Sequence, residues 1–192
     1  SVRLVEQPEV VDIDERDALL AFLFLEDAGG RGDAFEDDVI DLDAGTLDLK
    51  LLSVPLYDYQ TRGALFLACR GRSILGDDMG LGKTIQTLAA VELLARERGI
   101  GKVLVVAPAS VKYQWEAEIK KFTGRATQVI DGSPEERKEQ YTATTFYRLV
   151  NYEQVVRDRA AINDWKPDVV VLDEAQRIKN WASKTAKEVK KL

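Results

Sequence analysis

The chain has 192 residues, 45% of them hydrophobic and 31% charged, and a formal net charge of −6. That is the make-up of a globular protein able to bury a sizeable core; no apolar run is long enough to span a bilayer and no signal-peptide pattern is present, so no membrane partner is expected. A single Cys69 excludes an internal disulfide and fits a reducing cytoplasm, and the absence of His removes Ser-His-Asp and Cys-His catalysis and His-containing zinc sites, which leaves carboxylates, Lys, hydroxyls and a hard metal.

The charge is unevenly spread. Residues 1–50 hold 15 Asp/Glu and 4 Lys/Arg, a balance of −11, whereas residues 51–192 hold 18 and 23, a balance of +5. Residues 1–52 therefore read as an acidic appendage and residues 53–192 as a mildly basic lobe, compatible with a phosphate backbone as partner. In the appendage the pattern predicts a strand at 2–5 and a helix over 14–27 with a heavily apolar body. A break at Gly29-Gly30-Arg31-Gly32 follows, then strands at 39–43 and 47–51 with one wet face. The appendage reads as a solvated cap or linker, the alternative being an acidic segment that competes with DNA for a basic groove.

From residue 54 strands and helices alternate. A helix opens at Val54-Pro55 and runs to Cys69, followed by a strand at 73–75. A glycine-rich turn leads into a helix marked by Leu81, Ile85, Leu88, Val91 and Ala95 and stopped by Gly99. A continuous apolar strand at 102–107 ends at Pro108, and Ser110 is placed to cap a helix carrying Val111, Trp115, Ile119 and Phe122. Next come a strand at 127–130, a helix opened by Gly132-Ser133-Pro134, a strand at 146–150, a helix over 152–163, a strand at 169–172, and a helix opened by Ser183. Repeated strand–helix units predict an α/β fold: a mostly parallel sheet with helices on both faces. Lys112, Lys120 and Lys121, interleaved with Glu116 and Glu118, read as a solvated helix side rather than a DNA face. Trp115, Trp165 and Trp181 read as core or groove packing rather than partner anchors.

Two stretches carry chemistry. In Gly76-Asp77-Asp78-Met79-Gly80-Leu81-Gly82-Lys83-Thr84 the order of strand, Gly-rich loop and helix start suits a polyphosphate. Glycines let backbone N–H groups turn inward, and the helix N-terminus adds donors and partial positive charge. Lys83 would reach the β- and γ-phosphates and the Thr84 hydroxyl would hold Mg²⁺, although Asp77 stands where the strict pattern has Gly. The second stretch, Asp173-Glu174-Ala175-Gln176, ends a buried strand. Two adjacent carboxylates there make sense around a metal, with Asp173 holding it and Glu174 positioning and deprotonating the attacking water. Both stretches would lie at carboxyl ends of strands, where ligands bind in such sheets.

These residues resemble a family. Gly80-Leu81-Gly82-Lys83-Thr84-Ile85-Gln86, with the preceding Asp77-Asp78-Met79, resembles the first ATPase motif of the Swi/Snf-type DNA translocases of helicase superfamily two. Asp173-Glu174-Ala175-Gln176-Arg177-Ile178 (a DEAQ box) is similar to the second, in the form met in bacterial members. The resemblance covers residues 54–192 and implies a RecA-like P-loop NTPase lobe using ATP and Mg²⁺. It implies nucleotide contacts from Gln60 (adenine), Gly80, Leu81, Gly82, Lys83 and Thr84, metal contacts from Thr84 and Asp173, and catalytic roles for Lys83, Asp173 and Glu174. Gln176 would couple neighbouring motifs, and Ser110 and Asn151 would touch the DNA backbone. Four positions depart from the family pattern: Gln176 replaces a common His, Tyr57-Asp58 replaces Arg-Pro, and Asn151 replaces a hydroxyl residue.

The resemblance further implies a double-stranded DNA partner, a protein complex, a cytoplasmic and bacterial nucleoid-associated location, and a second lobe with arginine fingers that lies outside these 192 residues. Loss of such a finger costs ~10³–10⁵ in rate in related sites, so the chain alone is expected to hydrolyse ATP barely, if at all. The expected function is thus the first lobe of an ATP-dependent duplex-DNA translocase. The alternatives are a non-catalytic nucleotide- or protein-binding module and a true helicase on single strands or RNA.

Overall fold

The runs Val103–Val106 and Val169–Leu172 are apolar on consecutive residues, and Tyr147–Val150 is buried throughout although it carries Arg148, which suits strands covered on both faces. A computed structural model of the chain describes residues 20–24, 50–70, 72–76, 80–178, 183–189 and 191–192. Among the described residues the strands are β1 (Leu20–Phe24), β2 (Arg72–Leu75), β3 (Val103–Val106), β4 (Thr127–Val129), β5 (Tyr147–Val150) and β6 (Val169–Asp173). The helices are α1 (Asp58–Arg70), α2 (Lys83–Arg98), α3 (Lys112–Phe122), α4 (Pro134–Gln140), α5 (Tyr152–Arg157), α6 (Arg159–Trp165) and α7 (Lys184–Val189).

The strands form one sheet in the order β2-β1-β6-β3-β5-β4. β4, β5, β3 and β6 are mutually parallel, while β1 is antiparallel to both β6 and β2. Five strands therefore point one way and β1 alone points the other. Side-chain alternation splits the sheet between two cores. Val103, Val105, Leu149, Val169 and Val171 pack with residues of α1, α2 and α3 on one face. Leu104, Val106, Val150, Val170 and Leu172 pack with Tyr152 and Val155 of α5, Ile162 of α6 and Val189 of α7 on the other.

Several local expectations change. The helix expected over 14–27 is replaced, at its centre, by strand β1. Five successive apolar residues, Leu20 to Phe24, satisfy a two-sided buried strand as well as a helix, and periodicity alone does not separate the two. The acidic segment thus lends a strand to the sheet of the lobe. The strands expected at 2–5 and 39–43 lie outside the described residues; of 47–51, only Lys50 and Leu51 are described, and they are irregular. α1 begins at Asp58 rather than at Val54-Pro55. Ser110 does not cap α3: it lies inside a 3₁₀ turn, Ala109–Val111, that leads into the helix. The helix expected over 152–163 is two, broken at Asp158, whose carboxylate is drawn into a pairing with Arg137. Ser133 does open α4, through a capping box with Glu136 and Pro134 in the first turn.

Candidate nucleotide-binding site

β2 delivers the glycine-rich loop to the carboxyl edge of the sheet. Gly80 and Gly82 adopt φ of 89° and 74°, the left-handed region open to Gly at no steric cost. Gly82 is the N-cap of α2, no side chain caps that helix, and its first turn carries no acidic residue. The leading N–H groups of α2 open a 16-residue helix, whose N-terminal field favours an anion. Gln60, buried on α1, lies over the same point. A Cβ added at Gly82 would stand 2.6 Å from Gln60 Nε2, while Gln60 Oε1 accepts from the Tyr57 N–H at 3.1 Å. Leu81 and Gly80 are exposed, and Thr84 and Lys83 are half-buried.

β6 delivers Asp173 to the same edge. Leu20 of β1 is paired with Leu75 at the end of β2 on one side and with Asp173 at the end of β6 on the other. The two strand ends are therefore level and separated by two strand spacings, roughly 10 Å. Thr84 and Asp173 line one cleft of about 110 Å³, closed by Val111, Gln114, Trp115 and Glu118 of the α3 region.

Asp173 is held from several directions. Its Oδ2 accepts from the Trp115 indole N–H at 2.8 Å and its Oδ1 from the Glu174 N–H at 3.0 Å. Its main-chain carbonyl accepts from the Tyr152 hydroxyl at 2.6 Å. Burial raises the Asp173 carboxyl above its ordinary range and the Glu174 charge adds to this; the Trp115 hydrogen bond, the Glu174 N–H and the Lys83 ammonium pull the other way. Burial, assisted by the Asp173 charge, also raises the Tyr152 phenol, which stays a protonated donor. Glu174 occupies a tight turn at φ 54°, and the Gln176 side-chain amide donates to its carboxylate. Among the described residues no cluster of three or more His, Cys, Asp and Glu is arranged to hold a metal ion.

The remaining sequence-derived residues lie apart from this cleft. Ser110 is exposed on the 3₁₀ turn. Asn151 caps α5, its Oδ1 accepting from the Gln154 N–H at 2.8 Å while Gln154 Oε1 accepts from the Asn151 N–H. Lys112, expected on a solvated helix side, is 1% exposed and donates to the Ile130 carbonyl at 2.7 Å. Lys120 does pair with Glu116 on that side. Trp165 stacks under the Arg148 guanidinium at 4.1 Å, and Trp181 lies outside the described residues. The donors that fix Asp173 escaped sequence reasoning. The available signal was that a buried indole or phenol needs a hydrogen-bond partner, which does not say which one.

The profile of the SNF2-related domain matches residues 59–192. The helicase SWR1 of Saccharomyces cerevisiae is 39% identical over 144 residues, covering 69% of this chain and 10% of that protein. The swr1 helicase of Schizosaccharomyces pombe is 39% identical over 139 residues, covering 67% of this chain and 11% of that protein. The chain thus spans about a tenth of the length of the curated relatives it matches. Among solved structures, the Sulfolobus solfataricus SWI2/SNF2 ATPase core in complex with dsDNA is similar with a TM-score of 0.65 and 31% identity, over 76% of this chain and 31% of that one. The Sulfolobus solfataricus SWI2/SNF2 ATPase core domain gives a TM-score of 0.58 at 30% identity, over 76% of this chain and 31% of that one. The curated relatives are proteins of yeasts, which have no bacterial nucleoid, so the expected bacterial, nucleoid-associated cytoplasmic placement is withdrawn. The sheet with helices on both faces is the RecA-like fold of these cores. By the match over residues 59–192, the chain belongs to the SNF2-related family and forms the first lobe of its ATPase core.

Proposed function

We propose that the chain is the ATP-binding lobe of a translocase or remodeller acting on double-stranded DNA. The observation that supports this best is the shared cleft, which Thr84, the residue after Lys83, and Asp173 line together. In this reading the N–H groups from Gly80 to Thr84 and the Lys83 ammonium bind the phosphates, and Gln60 reads the adenine beside Gly82. The Thr84 hydroxyl and the Asp173 carboxylate are hard oxygen donors of the kind Mg²⁺ takes. That ion keeps several waters and needs only one or two protein ligands besides phosphate, so this donor set fits it without a larger acidic cluster. When bound, Mg²⁺ supplies charge neutralisation at the phosphates. Each Asp173 oxygen already accepts one hydrogen bond and retains lone pairs for a further partner. Glu174, oriented by Gln176, takes the proton of the attacking water.

The test is turnover by the complete protein with and without duplex DNA. Duplex-stimulated hydrolysis without strand displacement is expected. Nucleotide binding without any DNA response favours a binding module, and strand displacement favours a helicase. Residues 1–192 alone are expected to bind an ATP analogue weakly and to turn over negligibly; brisk hydrolysis by this chain contradicts a site completed by a second lobe. Gly82→Ala is expected to weaken binding of a fluorescent ATP analogue by about tenfold. The left-handed backbone costs a non-Gly residue roughly 1–2 kcal/mol, and the new Cβ evicts Gln60 Nε2 from 2.6 Å away. Unchanged affinity in a titration would remove Gln60 and Gly82 from the site.

A further inference from the structure

The two segments proposed to touch DNA are tied to one another and to Asp173 by buried donors. Ser110 sits on the turn that leads into α3, and α3 carries Lys112 and Trp115; Asn151 caps α5, which carries Tyr152 and Gln154. The Ile130 carbonyl, at the end of β4, accepts from Lys112 Nζ at 2.7 Å and from Gln154 Nε2 at 2.9 Å, and Lys112 Nζ also reaches Gln154 Oε1 at 3.4 Å. Lys112 and Gln154 are 1% and 5% exposed, so this is an internal staple holding the Ser110 turn and the Asn151 cap as one platform. From the same two helices one donor each goes to the metal-site residue: the Trp115 indole to the Asp173 carboxylate and the Tyr152 hydroxyl to the Asp173 carbonyl.

We infer that Trp115 and Tyr152 are positioning residues through which duplex DNA on the Ser110–Asn151 platform adjusts Asp173, and so the affinity of the cleft for Mg²⁺ and nucleotide. This rests on the functional reading above. Both are tied to Asp173 by a hydrogen bond, and Trp115 also lines the cleft, whereas Tyr152 does not. A shift of the stapled platform relative to β6 alters both hydrogen bonds, one on the side chain and one on the main chain of the same residue. Because linkage is reciprocal, nucleotide in the cleft changes DNA affinity by the same factor.

The experiment uses the complete protein, its Trp115→Phe and Tyr152→Phe variants and the double variant. Tyr152→Phe keeps the ring and removes only the hydroxyl, whereas Trp115→Phe removes the indole N–H together with part of a buried bicyclic ring. Tyr152→Phe is thus the cleaner of the two, and thermal denaturation checks that each variant is folded. Two quantities are read: the ratio of duplex-stimulated to basal turnover, and the shift that duplex DNA produces in the Mg²⁺-dependent affinity for a fluorescent ATP analogue. Trp115→Phe is expected to cut both by about tenfold, the loss of one hydrogen bond to a charged group, and Tyr152→Phe by about threefold. The double variant is expected to fall short of the product, since both act on one residue. A merely structural role lowers basal and stimulated turnover alike and leaves the ratio and the DNA-induced shift unchanged; that result overturns the inference. A wild-type protein that duplex DNA does not stimulate overturns the functional reading and this inference with it. If one variant does not fold, the other decides by the same two quantities.

Discussion

Glu174→Gln in the complete protein is expected to lower ATP turnover by ~10²–10⁴-fold, the usual contribution of a positioned general base, while nucleotide affinity changes by no more than a few-fold. The substitution keeps side-chain size and the turn at φ 54°, and it leaves the neighbouring Gln176 a hydrogen-bonding partner. What it removes is the ability to accept a proton from water. Single-turnover hydrolysis and analogue titration on the same preparation separate the two quantities. Wild-type turnover in this variant contradicts the role given to Glu174, and lost binding with it indicates a binding role instead.

The largest expected effect on stability comes from an ion pair outside the cleft. Arg137 on α4 makes a two-pronged pair with Asp158, at 2.8 and 2.9 Å, and donates to the Gly132 carbonyl at 2.8 Å. The two side chains are only 9% and 10% exposed, and the pairing raises the Arg137 pKa above its ordinary value. Asp158→Ala leaves that guanidinium charged, buried and without its carboxylate, at a cost of about 3–5 kcal/mol. For a chain of this size each kcal/mol is worth roughly 2–4 °C, so the midpoint of thermal unfolding is expected to fall by roughly 6–20 °C. Replacing both residues with apolar ones of similar volume is expected to recover much of the loss, since a well-packed apolar pair is often neutral relative to a buried ion pair. A midpoint within about 2 °C of wild type for the single variant contradicts the account.

These two regions also mark what was readable in the residues. β3 and β6 are unbroken aliphatic runs followed by Pro108 and the Asp173-Glu174 pair, and such runs announce both their burial and their ends. Lys83, Thr84 and Asp173 could be placed at strand ends from residue type alone, because few arrangements make a Gly-Lys-Thr turn and an acid pair economical in one sheet. β1 was hidden because Leu20 to Phe24 carries no period; only pairing with β2 and β6, which are 49 and 145 or more positions away along the register, makes it a strand. The break between α5 and α6 was hidden because Asp158 owes its position to Arg137 on another helix. Lys112 looked like a solvated lysine for the same reason: the carbonyl that draws it inward belongs to Ile130, and the signal is tertiary. The Trp115–Asp173 bond spans 58 positions and is likewise a product of the packed sheet.

The central claim is that the loop bearing Lys83 and the acid pair at the end of β6 form one site for nucleotide and metal. A double-mutant cycle on the Mg²⁺-dependent affinity for a fluorescent ATP analogue, using Lys83→Ala, Asp173→Ala and the double variant, tests it most directly. The account predicts that each single change weakens binding and that the double variant loses less than the sum, by at least about 1 kcal/mol, because both side chains serve the same ligand. Effects that add to within about 0.5 kcal/mol, or an Asp173→Ala variant whose affinity and Mg²⁺ dependence match the wild type, would place the two clusters in separate sites and contradict it.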